Sequence, residues 1–246
     1  MGDDRLAELA RRLAAVRARI AAACAAAGRD PADVELMAVT KTVPASDVAA
    51  LLDLGLTAFG ENRAQEASAK VAEVAALRPS TGERAPHWYF VGGLQRNKAR
   101  VVAAWAHRVE SVDSVRLADA LDAASGRLLD EGRHTGPLPV LLQYSVDGDP
   151  ARGGVPADGL HGLADHVATC PALRLDGLMA VAPLGTDPDA AFADVESAAA
   201  RLRSAHPTAT VLSAGMSGDL EAAIRHGSGV VRVGTALVGP RPLASS

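Results

Sequence analysis

Residues Val34 to Pro44 read VELMAVTKTVP. Val34 to Val39 are apolar apart from Glu35, in a run too short for a helix and bounded by Pro31 and Pro44. That pattern is a buried strand. Lys41 stands at its C-terminal end, between Thr40 and Thr42. Lysine is among the residues least often fully buried, so its place at the mouth of a core strand has two readings. Either the strand has ended and the ammonium is in water, or the amine is a Schiff-base nucleophile, helped by partial burial to shed its proton.

Outward from this strand, helical and strand patterns alternate. Asp3 to Ala27 carries Leu6, Leu9, Leu13, Val16 and Ile20 at three- and four-residue steps, a helix stopped by Gly28. After Lys41, Pro44 to Leu54 reads as a helix with Ser46 as N-cap. A short strand from Thr57 to Phe59 follows, then the GEN segment Gly60 to Asn62 and a polar helix from Arg63 to Leu77, closed by a loop at Pro79, Ser80 and Gly82. Further strands are expected at His87–Gly93, His107–Val112, Leu138–Val146, Leu173–Val181, Thr210–Gly215 and Gly229–Leu237. The helices between them fall at Leu94–Trp105, Ser114–Gly132, Pro156–Thr169, Asp187–Ala205 and Met216–Gly227.

Eight strands alternating with helices imply a parallel sheet covered by helices. The chain has 246 residues, close to the ~250 of an α/β barrel. The expected fold class is therefore α/β: a single (β/α)8 TIM-type barrel spanning residues 1–246, with an extra N-terminal helix and a minimal last one. An open doubly wound sheet is the alternative. Hydrophobic residues make up 48% but aromatics only 3%, so Ala, Val and Leu must fill the core. A net charge of −4 argues against a nucleic-acid or membrane surface. Cys24 and Cys170 are too few for a disulfide framework or zinc cluster. The start, MGDDRLAELARRL, has no apolar signal core, and no run approaches the ~18 apolar residues of a membrane span. A reduced, cytoplasmic location is expected. His161 and His166 are five apart, off a common helical face, and no metal site is expected.

In a barrel, function collects at the C-terminal ends of the strands. Those ends hold Lys41, then Glu61 and Asn62, Gly92 and Gly93, Asp113, Asp147, Pro183, Gly215 to Ser217, and Gly234 with Thr235. The last two groups follow strands seven and eight, where barrels often bind phosphate. Ser217 is either a phosphate donor or an N-cap. A nucleophile elbow, G-x-S-x-G, fails because Asp219 holds the final glycine's place. Arg232 alternates with Val231 and Val233, so it faces opposite to them. It either pairs with a carboxylate of an acidic loop or donates to an anion or ring nitrogen at the barrel mouth. Amine, arginine and phosphate cradle together suit a phosphorylated aldehyde, and pyridoxal 5′-phosphate (PLP) fits well.

The segments AVTKTVP, FGENRAQE, WYFVGGLQRNKAR, GLMAVAP, LSAGMSGDLEAAI and VVRVGTALVGPR also resemble the YggS-type pyridoxal phosphate homeostasis proteins, relatives of the barrel domain of bacterial alanine racemase. The likeness runs from about Val34 to Arg241. It implies a PLP fold-type III-like barrel without the second β-domain, with Lys41 as the internal aldimine lysine. It also implies Ser217, Gly234 and Thr235 around the phosphate, Arg232 at the pyridine nitrogen, and Asn62 and Met216 lining the pocket. The implied role is to hold PLP in vitamin B6 and amino-acid homeostasis, without catalysis; PLP-dependent apoenzymes are candidate recipients, and a monomer is the default expectation. Related racemases take their second acid/base from an additional β-domain of a partner subunit, and this sequence ends soon after strand eight. The alternatives are a PLP-dependent racemase or lyase, with Tyr89 or Tyr144 as first suspects for the acid/base, and a class I aldolase using Lys41. Tyr89, Arg63 and Arg152 depart from the family's usual histidine, tyrosine and lysine.

Overall fold

The computed structural model describes residues 3–79 and 85–239. Its centre is a closed parallel barrel of eight strands in chain order: β1 (Glu35–Val39), β2 (Ala58–Glu61), β3 (His87–Phe90), β4 (Arg108–Val112), β5 (Leu138–Tyr144), β6 (Leu173–Ala180), β7 (Val211–Ser213) and β8 (Val230–Val233). The ring closes where β1 pairs with β8, setting Met37 beside Arg232. Closure disposes of the open doubly wound sheet.

Around the barrel stand α1 (Asp3–Ala26), α2 (Ala45–Asp53), α3 (Ala64–Leu77), α4 (Ala99–Ala103), α5 (Val115–Asp130), α6 (Leu160–Thr169), α7 (Pro188–Ala205), α8 (Leu220–Arg225) and the four-residue α9 (Thr235–Val238). The extra helix α1 buries Leu9, Leu13, Val16 and Ile20 against α2, α8 and α9. Leu36, Ala38, Phe59, Trp88, Val231 and Val233 point outward into the same apolar layer. Each large side chain buried there contributes about 1.5–3 kcal/mol. No helix among the described residues is long and apolar enough to cross a membrane.

Strand alternation sends the other residues inward. Met37, Ala58, Tyr89 and Val230 form a small interior cluster, and Gly60 is there because a Cβ would lie 2.8 Å from Met37 Sδ. Barrel interiors are usually layers of Val, Ile and Leu. This one also holds Glu110, Ser213 and Arg232, all buried.

Several boundaries differ from the sequence reading. Ser46 is not the N-cap of α2; Pro44 holds that position in extended backbone. Strand β2 starts one residue later than read and runs on through Gly60 and Glu61 of the GEN segment. The helix expected from Leu94 to Trp105 shrinks to a 3₁₀ turn, Arg96–Lys98, and α4, because Gln95 is extended. Helix α6 begins at Leu160, not near Pro156, since Val155 is tied to the sheet through Gln143 O and Ser145 N. Of the loop expected at Pro79 to Gly82, Ser80 and Gly82 lie outside the described residues, as does the segment after Gly239.

Candidate functional site

A cavity of 780 Å³ opens where β1 and β8 end, within the ~300–1,000 Å³ of small-molecule sites. Six of the seven residues singled out in the sequence line it: Lys41, Met216, Ser217, Arg232, Gly234 and Thr235. Arg5, Glu8 and Asp47 line it as well. Asn62, the seventh, sits at the end of β2 outside this lining; its Oδ1 is buried and has no hydrogen-bond partner.

Lys41 emerges from β1 into a turn closed by Val43 N–H donating to Thr40 O at 3.0 Å. Thr42 has φ +66°, a conformation a β-branched residue rarely adopts. Lys41 is exposed, so of its two sequence readings the partial burial invoked for a Schiff-base amine is not found. What is buried is the root of the turn. The Thr40 hydroxyl donates to Glu61 Oε1 at 2.6 Å. Lys70 of α3 donates to both Thr40 O at 2.6 Å and Glu61 Oε1 at 2.7 Å.

The loop after β7 is shaped by Gly215, whose φ is +90° and whose Cβ would meet Ala223 Cβ at 2.5 Å. Asp219, not Ser217, stands at the N-cap of α8, and its Oδ1 accepts from Met216 N–H. The Ser217 hydroxyl is therefore not committed to a cap. Arg19 of α1 reaches across to donate to Ser217 O at 3.1 Å and pairs with Glu221 at 2.8 Å.

Arg232 points into the barrel and is 4% exposed. Its Nη1 donates to Ser213 O and Ser213 Oγ, both at 2.7 Å, and its Nη2 to Ala180 O at 2.7 Å. Among the described residues it makes no ion pair with an acidic loop residue. The carboxylates whose charge reaches it are Glu110 inside the barrel, one hydroxyl away, and Asp219 of the loop after β7. Burial lowers the Arg232 pKa, and the charge of Glu110 works against that.

The alanine racemase N-terminal domain family matches residues 12–242. A pyridoxal phosphate homeostasis protein of Mycobacterium leprae is 48% identical over 98% of this chain and 96% of its own length. This chain belongs to the pyridoxal phosphate homeostasis family. The solved structure of PipY from Synechococcus elongatus, with PLP bound, is 33% identical with a TM-score of 0.79, covering 94% of this chain and all of that one. Alanine racemase of Corynebacterium glutamicum, 16% identical with a TM-score of 0.66, shares the fold over 98% of this chain and 62% of its own.

Residues outside the family's expected set complete the site. Arg5 donates to Asp47 Oδ2 at 2.6 Å, to Glu8 at 2.8 Å and to Val238 O at 2.9 Å. The N-terminal helix thus fastens both the start of α2 and the end of α9. Arg5, Arg19 and Lys70 went unmarked in the sequence because each looks like a solvated helix-face charge; only the distant partner gives it a role.

The two tyrosines suspected as acid/base groups are elsewhere. Tyr89 faces the lower barrel, with its hydroxyl donating to Glu35 Oε1 at 3.3 Å and the Arg108 guanidinium 4.2 Å from its ring centre. Tyr144 faces the helical layer and donates to Asp194 at 2.7 Å. Burial, then Asp194, pushes its pKa up to about 12, and burial followed by the charge of Glu35 raises that of Tyr89. Neither lines the cavity. Arg152 donates to Val181 O and Ala182 O at 3.1 Å, bracing the loop after β6, and Arg63 pairs with Glu66 at the surface. The basic run Gln95 to Arg100 does not reach the cavity. Asp119, His166 and Cys170 gather their ligand-type atoms within 4.8 Å, but Asp119 and His166 already pair at 2.7 Å.

Proposed function

We propose that this chain binds PLP in the cavity at the barrel mouth, held covalently through the Lys41 amine. The observation that carries the reading is convergence: Lys41 after β1, Ser217 after β7, and Arg232, Gly234 and Thr235 at the end of β8 come from three segments and line one cavity. Ser217 and the backbone at Gly234 and Thr235 take the phosphate, Arg232 meets the pyridine nitrogen, and Met216 forms a wall. Asn62 stays in the assignment for its unpartnered Oδ1, an atom costly to bury without a donor.

Bound PLP would supply an electron sink, and a guanidinium at its ring nitrogen weakens that sink because, unlike a carboxylate, it does not enforce a pyridinium. The role that follows is binding without catalysis. The carboxylates of the lining, Glu8 and Asp47, are both paired with Arg5, and neither tyrosine is within the lining. The naming of relatives as pyridoxal phosphate homeostasis proteins, and the PLP in PipY, support a part in vitamin B6 and amino-acid homeostasis. Delivery to PLP-dependent apoenzymes, a monomeric state and a cytoplasmic location belong to the same reading.

Titration with PLP tests it. The wild-type protein should develop a visible absorbance band, and Lys41→Ala should not, with its circular dichroism unchanged. Covalent PLP retained by Lys41→Ala at the wild-type level overturns the assignment.

A further inference from the structure

We propose that Glu110, acting through the Ser213 hydroxyl, is the positioning residue that fixes the Arg232 guanidinium at the cavity floor. The inference rests on the reading of Arg232 as the group that meets the ring nitrogen.

Both oxygens of Glu110 are engaged, and the residue is fully buried on β4. Oε1 accepts from Arg108 Nε at 2.9 Å and Nη2 at 2.6 Å. Oε2 accepts the Ser213 proton at 2.6 Å. A serine hydroxyl has one proton to give. With that proton directed at Glu110, the Ser213 lone pairs are the acceptor for Arg232 Nη1 at 2.7 Å. The hydroxyl is thereby held between a carboxylate and a guanidinium, and its direction is set by both.

The other two acceptors of Arg232 are backbone carbonyls, Ser213 O and Ala180 O. They orient the guanidinium but carry no charge. The series continues downward, with Arg108 3.7 Å from Glu35 and the Tyr89 hydroxyl on Glu35 as well. Charges therefore alternate through the barrel as Glu35, Arg108, Glu110 and Arg232. Losing one member of such a series leaves another without its partner. Glu110 is thus placed to hold the donor that lines the cavity without touching a ligand itself.

A double-mutant cycle reads the coupling. PLP affinity is measured for the wild type, Ser213→Ala, Arg232→Ala and the double variant. Ser213→Ala should weaken PLP about tenfold, the scale of one hydrogen bond to a charged group, and should have no further effect in the Arg232→Ala background. An equal loss in both backgrounds, or none in either, overturns the proposal. Should Ser213→Ala fail to fold, Glu110→Gln, which keeps the side-chain shape, replaces it in the cycle. Side-chain NMR of the PLP-free protein gives an independent arm. The Arg232 guanidinium signals, identified by their loss in Arg232→Ala, should be protected from exchange in the wild type and lose that protection in Ser213→Ala or Glu110→Gln. Unchanged protection in these variants contradicts the positioning role. A wild type that takes up no PLP would refute the cofactor reading, while the NMR arm would still decide whether Glu110 and Ser213 hold Arg232.

Discussion

Arg19 and Ser217 are 198 positions apart in sequence, yet the guanidinium of one donates to the carbonyl of the other at 3.1 Å. The same arginine pairs with Glu221 at 2.8 Å. A helix that lies outside the eight repeating units of the barrel therefore holds the loop assigned to the phosphate. Arg5, near the start of the same helix, does the equivalent for α2 and α9.

The Arg19 contact has a measurable consequence. Arg19→Ala should leave the circular dichroism unchanged and weaken PLP binding roughly three- to tenfold, the scale of a lost hydrogen bond and its ordering of the loop. An unchanged dissociation constant would reduce Arg19 to a surface ion pair.

Beneath Lys41 the stakes concern stability. Glu61 is 1% exposed and its Oε1 accepts from both Lys70 and Thr40. Lys70→Met removes the cation and leaves the carboxylate buried, a change that typically costs about 3–5 kcal/mol. Urea denaturation should show a loss of that order. A loss below about 1 kcal/mol would mean the carboxylate reaches water once Lys70 is gone.

The two tyrosines, the only ones in the sequence, give a prediction in alkali. Both have pKa values raised in the fold, Tyr144 to about 12, against about 10 for a free tyrosine. A raised value means that the folded state holds the proton more tightly. The contribution to stability is fully present below pH about 10 and is lost as pH rises through the folded-state values. Ultraviolet titration should show no tyrosinate near pH 10 in the folded protein, and Asp194→Asn should bring Tyr144 lower. One tyrosine ionising at its ordinary value in the native protein would contradict the burial and bonding described here.

Much of this was legible from local pattern. The period-two rule set Arg232 opposite to Val231 and Val233, as the structure has it, and the apolar run ending at Lys41 put that residue at a strand end. The same rule applied to β4 places Arg108 and Glu110 on one face, a further signal in the sequence. Caps were less legible, since local sequence offers several candidates. Ser46 and Ser217 have the right chemistry, but Pro44 and Asp219 hold the positions. Lys41 itself is exposed, and the buried members of its neighbourhood are Thr40 and Glu61, joined through Lys70, thirty residues on from Thr40. Contacts of that kind depend on which helix faces which strand end, which no local spacing reports.

The most direct test of the PLP assignment is borohydride reduction of the PLP-loaded protein, followed by proteolysis and peptide mass mapping. The account predicts one reduced pyridoxyl adduct, on the peptide carrying Lys41, absent when reduction is omitted. An adduct found on Lys70 or Lys98 with Lys41 unmodified would contradict it.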